Sequence, residues 1–211
     1  MTAGMGRLTP FEPDDLAAAA VEAARGRRLV VIIDGRSGAG KSTLARDLVR
    51  CLDRRTGWAV QSVSLDHVYP GWGGLAAATA AVADTILRET APGYRTYDWE
   101  AQHRTDWIAL SPGDPLVIEG AGALTGTTAM TASLRVYADA DERTRRSAAL
   151  ARDGAAYEPW WDVWAAQERA HFATHHPAVL ADVIVNPVTR LAWWADRPAA
   201  PCQVVQPISS C

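Results

Sequence analysis

The chain has 211 residues, 48% of them hydrophobic and 21% charged, which suits one domain with a full core and is short for two. A net charge of −3 argues against a surface that coats nucleic acid, so no nucleic-acid partner is expected. No apolar run is long enough to cross a bilayer and the N-terminus lacks a signal-peptide stretch, so no membrane partner is expected and the expected location is cytoplasmic.

Residues 10–26 are alanine-rich and predict a helix ended by Gly26, so that 1–28 form an N-terminal helical piece packed on the core. Residues 29–34 read as a buried strand, followed at once by a glycine-rich turn and a helix running through Arg50. A second strand over 58–65 is closed by Asp66. After a loop around Trp72, a second alanine-rich helix is expected over 75–89, and the aromatic, polar segment 91–100 reads as a loop. Further strands are expected at 115–119, 134–138 and 182–186. Between the last two lie an arginine-rich helix to residue 153 and a tryptophan-rich one over 158–175. From residue 191, proline and small side chains suggest a tail to 211. Strands alternating with helices predict an α/β fold, a five-stranded parallel sheet flanked by helices, within a domain spanning 29–190.

The turn Gly35-Arg-Ser-Gly-Ala-Gly-Lys41-Ser42 has the full spacing of a P-loop, strand before and helix after. Its glycines let backbone N–H groups turn inward around phosphates, and the helix N-terminus adds positive potential. Lys41 is the single lysine against 20 arginines, and it stands where a lysine reaches β- and γ-phosphates. The Ser42 hydroxyl is placed to ligate Mg²⁺. The nucleotide-binding residues are therefore Gly35, Ser37, Gly38, Ala39, Gly40, Lys41, Ser42 and Thr43, with ATP the expected nucleotide.

Ligands of open parallel sheets gather at the carboxyl ends of strands, where this chain puts Asp66, Glu119 and Asp139. Asp139 and Asp141 precede a helix and read as caps. Asp66 and Glu119 precede flexible glycine-rich segments, which favours function. Trp72 and Trp99 lie in loops near the expected site and read as pocket walls, whereas Trp160, Trp161 and Trp164 share a helical stretch and read as packing. The three cysteines and the pair His175-His176 have no metal-ligand spacing.

Four blocks resemble the uridine kinase-like branch of the P-loop nucleoside and nucleotide kinases. They are the segment 33–43; Leu65-Asp66-His67-Val68-Tyr69, similar to the family's Asp-x-Phe-Tyr; Tyr94-Arg-Thr-Tyr97-Asp98-Trp99; and Val117-Ile-Glu119-Gly120. Val68 stands where the family has phenylalanine, Ala148 and Ala149 where it has arginines, and Tyr97-Asp98-Trp99 where uridine kinases have Asp-His-Pro, which leaves the acceptor open. The resemblance implies a P-loop NTPase fold and an ATP- and Mg²⁺-dependent kinase for a small hydroxyl-bearing acceptor. It places Asp66 beside the P-loop strand as the group that orients the hydroxyl and takes its proton. Glu119 and Ser42 then hold the metal, with Lys41, Arg145 and Arg152 around the transferred phosphoryl group and a lid near 145–157. Tyr69, Trp72, Tyr97 and Trp99 join Asp66 around the acceptor. A nucleotide-switched regulator, an antibiotic-modifying phosphotransferase and self-association into a homo-oligomer stay open. The guanine-reading Asn-Lys-x-Asp element is excluded, because Lys41 and Asn186 are the only residues of their types.

Overall fold

A computed structural model describes residues 8–154 and 157–195. Its centre is β2 (Val30–Asp34), buried along its whole length, with β6 (Leu116–Glu119) and β7 (Leu134–Ala138) parallel on either side. Beyond them lie β3 (Gln61–Ser64) on β6 and β8 (Val183–Asn186) on β7, both parallel. These are the five expected strands.

The sheet nevertheless has seven strands, because two antiparallel ones extend one edge: β9 (Leu191–Trp194) on β8, and β1 (Thr9–Pro10) on β9. Residues 191–194 are thus sheet rather than tail. The Asn186 side chain accepts from the N–H groups of Val188 and Thr189, and the turn it closes sends the short apolar run back along β8. The rest of the expected tail, including Cys202 and Cys211, lies outside the described residues, as do 1–7 and residues 155 and 156 of the expected lid. The strand carrying Asp66 to its end is also not next to the P-loop strand: β6 lies between β2 and β3.

Strand alternation splits the interior into two cores. Val31, Ile33, Val117 and Val136 face one layer with α1 (Pro13–Ala24) and α2 (Lys41–Thr56). Val30, Ile32, Leu116 and Ile118 face the other, with α3 (Leu75–Ala81) and the long α6 (Trp161–His175). The expected helix over 75–89 stops short as α3, which passes into a π-helical turn at Val82–Ile86. The glycine-rich segment after Glu119 contains α4 (Gly126–Thr131), capped by Thr125, whose hydroxyl accepts from the N–H of Thr128 at 3.2 Å. Asp141 caps α5 (Glu142–Asp153), as expected, and α7 (Pro177–Leu180) is a single turn.

Residues 91–100 are not a loop. They contain β4 (Gly93–Asp98), paired antiparallel with β5 (His103–Ala109) in a separate hairpin. Its mostly exposed faces lack the apolar alternation by which a half-buried strand is recognised.

Gly38 takes a left-handed φ of +77°, and a Cβ there would stand 2.0 Å from the carbonyl oxygen of Arg145. Gly38→Ala is expected to cost about 2 kcal/mol or more, a melting-temperature drop of about 4–8 °C by scanning calorimetry.

Candidate functional site

The carboxyl ends of β2, β3 and β6 open on a cavity of about 410 Å³, a size suited to a small ligand. Ser37, Gly38, Lys41 and Ser42 form its donor side. Gly40 precedes α2 in a left-handed conformation, φ 85°, and no side chain caps the helix, so its first-turn N–H groups are left for an anion. The ammonium of Lys41, 8% exposed, donates to the carbonyl oxygen of Arg36 at 2.9 Å and is held over the loop. These are donors suited to a polyanion.

Asp34, fully buried at the end of β2, organises the loops from below. Its carboxylate accepts from the N–H groups of Gly35 (2.6 Å), Gly122 (3.2 Å) and Leu124 (2.7 Å), binding the start of the phosphate loop to the segment after β6. In the sequence Asp34 is only the end of a strand, and its place at the foot of the glycine-rich turn is the one local signal of this role.

Glu119 lines the cavity and is buried, with its Oε1 accepting from the Ser64 hydroxyl at 2.6 Å. Ser64 is its register partner across β3 and β6, a pairing invisible until the strand order is known. No group of three or more His, Cys, Asp or Glu side chains among the described residues could enclose a metal. Ser42 and Glu119 instead offer two hard oxygen ligands, a donor set that fits Mg²⁺ bound partly by phosphate and water oxygens.

Asp66 sits in a 3-10 turn (Leu65–His67), half exposed, with Oδ2 at 3.5 Å from Arg152 Nη1. Arg152 lies near the end of α5, and both side chains line the cavity. Arg145 does not. It is 4% exposed, and its guanidinium donates to the carbonyl oxygens of Ala140 (3.1 Å) and Ser37 (3.3 Å), bracing the phosphate loop from behind.

Aromatic rings form the remaining wall. Trp72 lies 4.8 Å from Trp99 and stacks on Tyr157 at 5.1 Å and on Trp160 at 6.0 Å. The Trp99 indole N–H donates to the carbonyl oxygen of Asp66 at 2.8 Å, tying the β4–β5 hairpin to the acid-bearing turn. Tyr69 lines the cavity with its ring, while its hydroxyl is committed to the Ala121 carbonyl at 2.8 Å. Burial, with Asp66, Glu119, Asp34 and Glu168 nearby, pushes that phenol well above its ordinary range, so it stays protonated. Tyr97 does not line the cavity; it meets Trp99 edge-on at 5.4 Å and supports it from behind. Trp164, read as packing, both packs and lines the cavity, as does Tyr157, which the sequence reading passed over.

No family model matches the chain, and no curated protein matches it in sequence. Solved structures match its fold. A possible uridine kinase from Bacillus stearothermophilus superposes with a TM-score of 0.58 at 22% identity, over 82% of this chain and 96% of that one. A candidate fructose transport system kinase from Silicibacter sp. TM1040 gives a TM-score of 0.52 at 17% identity, over 80% and 91% of the two chains. The likeness establishes the fold alone, an α/β arrangement of a mostly parallel sheet flanked by helices.

Proposed function

We propose that this chain is an ATP-dependent small-molecule kinase, similar to the uridine kinases, which transfers the γ-phosphate of ATP to a hydroxyl of a nucleoside or similar acceptor. The observation that carries this reading is convergence: the phosphate loop, Asp66, Glu119 and an aromatic wall share one cavity. A P-loop alone would serve any nucleotide-driven function. A carboxylate and ring wall beside it make room for a second, small substrate.

Phosphoryl transfer needs positioning and charge neutralisation more than covalent help. The loop N–H groups and Lys41 bind the phosphates. Asp66 orients the acceptor hydroxyl and takes its proton as the new O–P bond forms and the bond to the β-phosphate oxygen breaks. Ser42 and Glu119 would hold a bound Mg²⁺, which would supply further neutralisation of the phosphate charge. The rings around Trp72 shed water and offer a flat apolar surface, which limits transfer to water.

Arg152 faces the same cavity, where its charge counts most as negative charge shifts onto the leaving group. Arg152→Ala is expected to lower turnover by tenfold or more, a loss of about 1.4 kcal/mol or more in transition-state stabilisation, with acceptor KM little changed. Steady-state kinetics with unchanged turnover would remove Arg152 from the mechanism.

The test of the whole reading is ATP consumption by the purified protein against panels of nucleosides, vitamins and antibiotics. Acceptor-dependent consumption is expected. Acceptor-independent turnover would favour a nucleotide-switched regulator, and selective phosphorylation of an antibiotic would assign the same fold to resistance.

A further inference from the structure

Glu168 is a buried carboxylate that the transfer scheme leaves unused. It lies on α6, 3% exposed, and its Oε1 accepts from two N–H groups: the Ser37 backbone at 2.6 Å and the Trp164 indole at 3.1 Å. Burial pushes its pKa up, opposed by the Ser37 hydrogen bond and by Lys41, Arg145 and Arg36. A carboxylate buried beside the seat of a polyanion opposes nucleotide binding, so a gain in position has to offset it.

That gain is visible in one peptide unit. The N–H of Ser37 and the carbonyl of Arg36 belong to the same peptide. Glu168 holds the N–H, and Lys41 Nζ donates to the carbonyl at 2.9 Å. Fixing one end of a planar unit fixes the other, and paired bonds across it polarise each other. The same helix also grips the acceptor side. Gln167 donates to the carbonyl of Trp72 at 2.6 Å and accepts from the N–H of Leu75 at 3.3 Å. Trp164 meets Tyr69 edge-on at 4.7 Å and Trp72 at 6.4 Å. Residues 164–168 span about 6 Å of rigid helix, so both loops share one reference.

We propose that Glu168 is the positioning residue of the phosphate loop: it sets the Lys41 ammonium through the 36–37 peptide, and Trp164 and Gln167 tie that setting to the acceptor wall. The proposal rests on the nucleotide-binding part of the function above.

The experiment measures Mg·ATP and AMP affinity of the full chain by calorimetry, with tryptophan emission followed in parallel. AMP lacks the β- and γ-phosphates that Lys41 serves. Glu168→Ala is expected to weaken Mg·ATP about tenfold or more, a loss of about 1.4 kcal/mol, and to leave AMP within about twofold. Glu168→Gln keeps an oxygen for both N–H groups and is expected to bind Mg·ATP within about threefold of wild type. Mg·ATP is expected to change wild-type emission, and Trp164→Phe to diminish that change. Equal losses for ATP and AMP in Glu168→Ala, or no loss, overturn the role of Glu168. An emission change of wild-type size in Trp164→Phe overturns the tie to the acceptor wall. If Glu168→Ala does not fold, a tenfold loss of Mg·ATP affinity in folded Glu168→Gln overturns the proposal in its place. Wild type that binds no Mg·ATP removes the nucleotide reading itself, a result distinct from all of these.

Discussion

Asp66→Asn is expected to keep Mg·ATP affinity and to lose phosphoryl transfer by roughly 10²–10⁴-fold, the range for removal of a general base. Asparagine keeps the size and one hydrogen-bonding oxygen of the side chain, so the acceptor can still bind. What it lacks is a place for the hydroxyl proton. Asp66 could instead be a loop-stabilising acid. In that case its carboxylate would accept from N–H groups of its own turn, as Asp98 does for Glu100 and Ala101. Among the described residues it has no such bond, and its partner is Arg152 across the cavity at 3.5 Å. Asparagine also releases Arg152 from that pair, so Arg152→Ala is the necessary companion. Single-turnover transfer, calorimetric ATP affinity and melting temperature, taken on Asp66→Asn, separate the readings. Full transfer with lowered stability would end the catalytic role of Asp66.

The donor side of this site could be read directly from sequence because it is local. Strand, glycine turn, lysine and helix are contiguous, and each obeys short-range backbone rules, so residues 30–50 fold as expected and the helix runs on to Thr56. The proposed acceptor side is assembled from distant pieces and was only partly legible. Asp66 and Glu119 were legible as cavity residues because each stands at or just past the carboxyl end of an expected strand. Ser64 was not, since its role depends on the β3–β6 register. Tyr157 and Trp164 come to the cavity from the far end of the chain, where their spacing matches ordinary helix packing. The resemblance puts Tyr97 in the acceptor wall with Trp99, but Tyr97 belongs to β4 and Trp99 to the turn after it, and of the two only Trp99 lines the cavity. Arg145 was placed by the resemblance. Its burial and its bonds to two carbonyls show how an arginine near phosphates can serve the loop's backbone. The two edge strands were missed because a two-residue strand and a four-residue run after a turn carry too little periodicity to register.

Lys41→Ala is expected to remove most of the stabilisation that Mg·ATP gives the folded chain and to abolish transfer. For a ligand at a hundred times its Kd, mass action predicts about 2.7 kcal/mol, a shift of about 5–10 °C for a domain of this size. The loss should fall on the triphosphate, because loop N–H groups and the α2 N-terminus still attract an anion when the ammonium is gone. A small residual shift is therefore consistent with the reading, and a full one is not. The apo protein needs its own baseline. Lys41 is buried and its ammonium satisfies the Arg36 carbonyl, so alanine leaves that acceptor to water and by itself lowers the ligand-free stability by about 1 kcal/mol, and the melting temperature with it. The informative quantity is the difference between shifts with and without Mg·ATP, compared across wild type and variant. A wild-type chain whose melting temperature does not move with millimolar-order Mg·ATP or Mg·GTP would remove the phosphate loop from the function altogether.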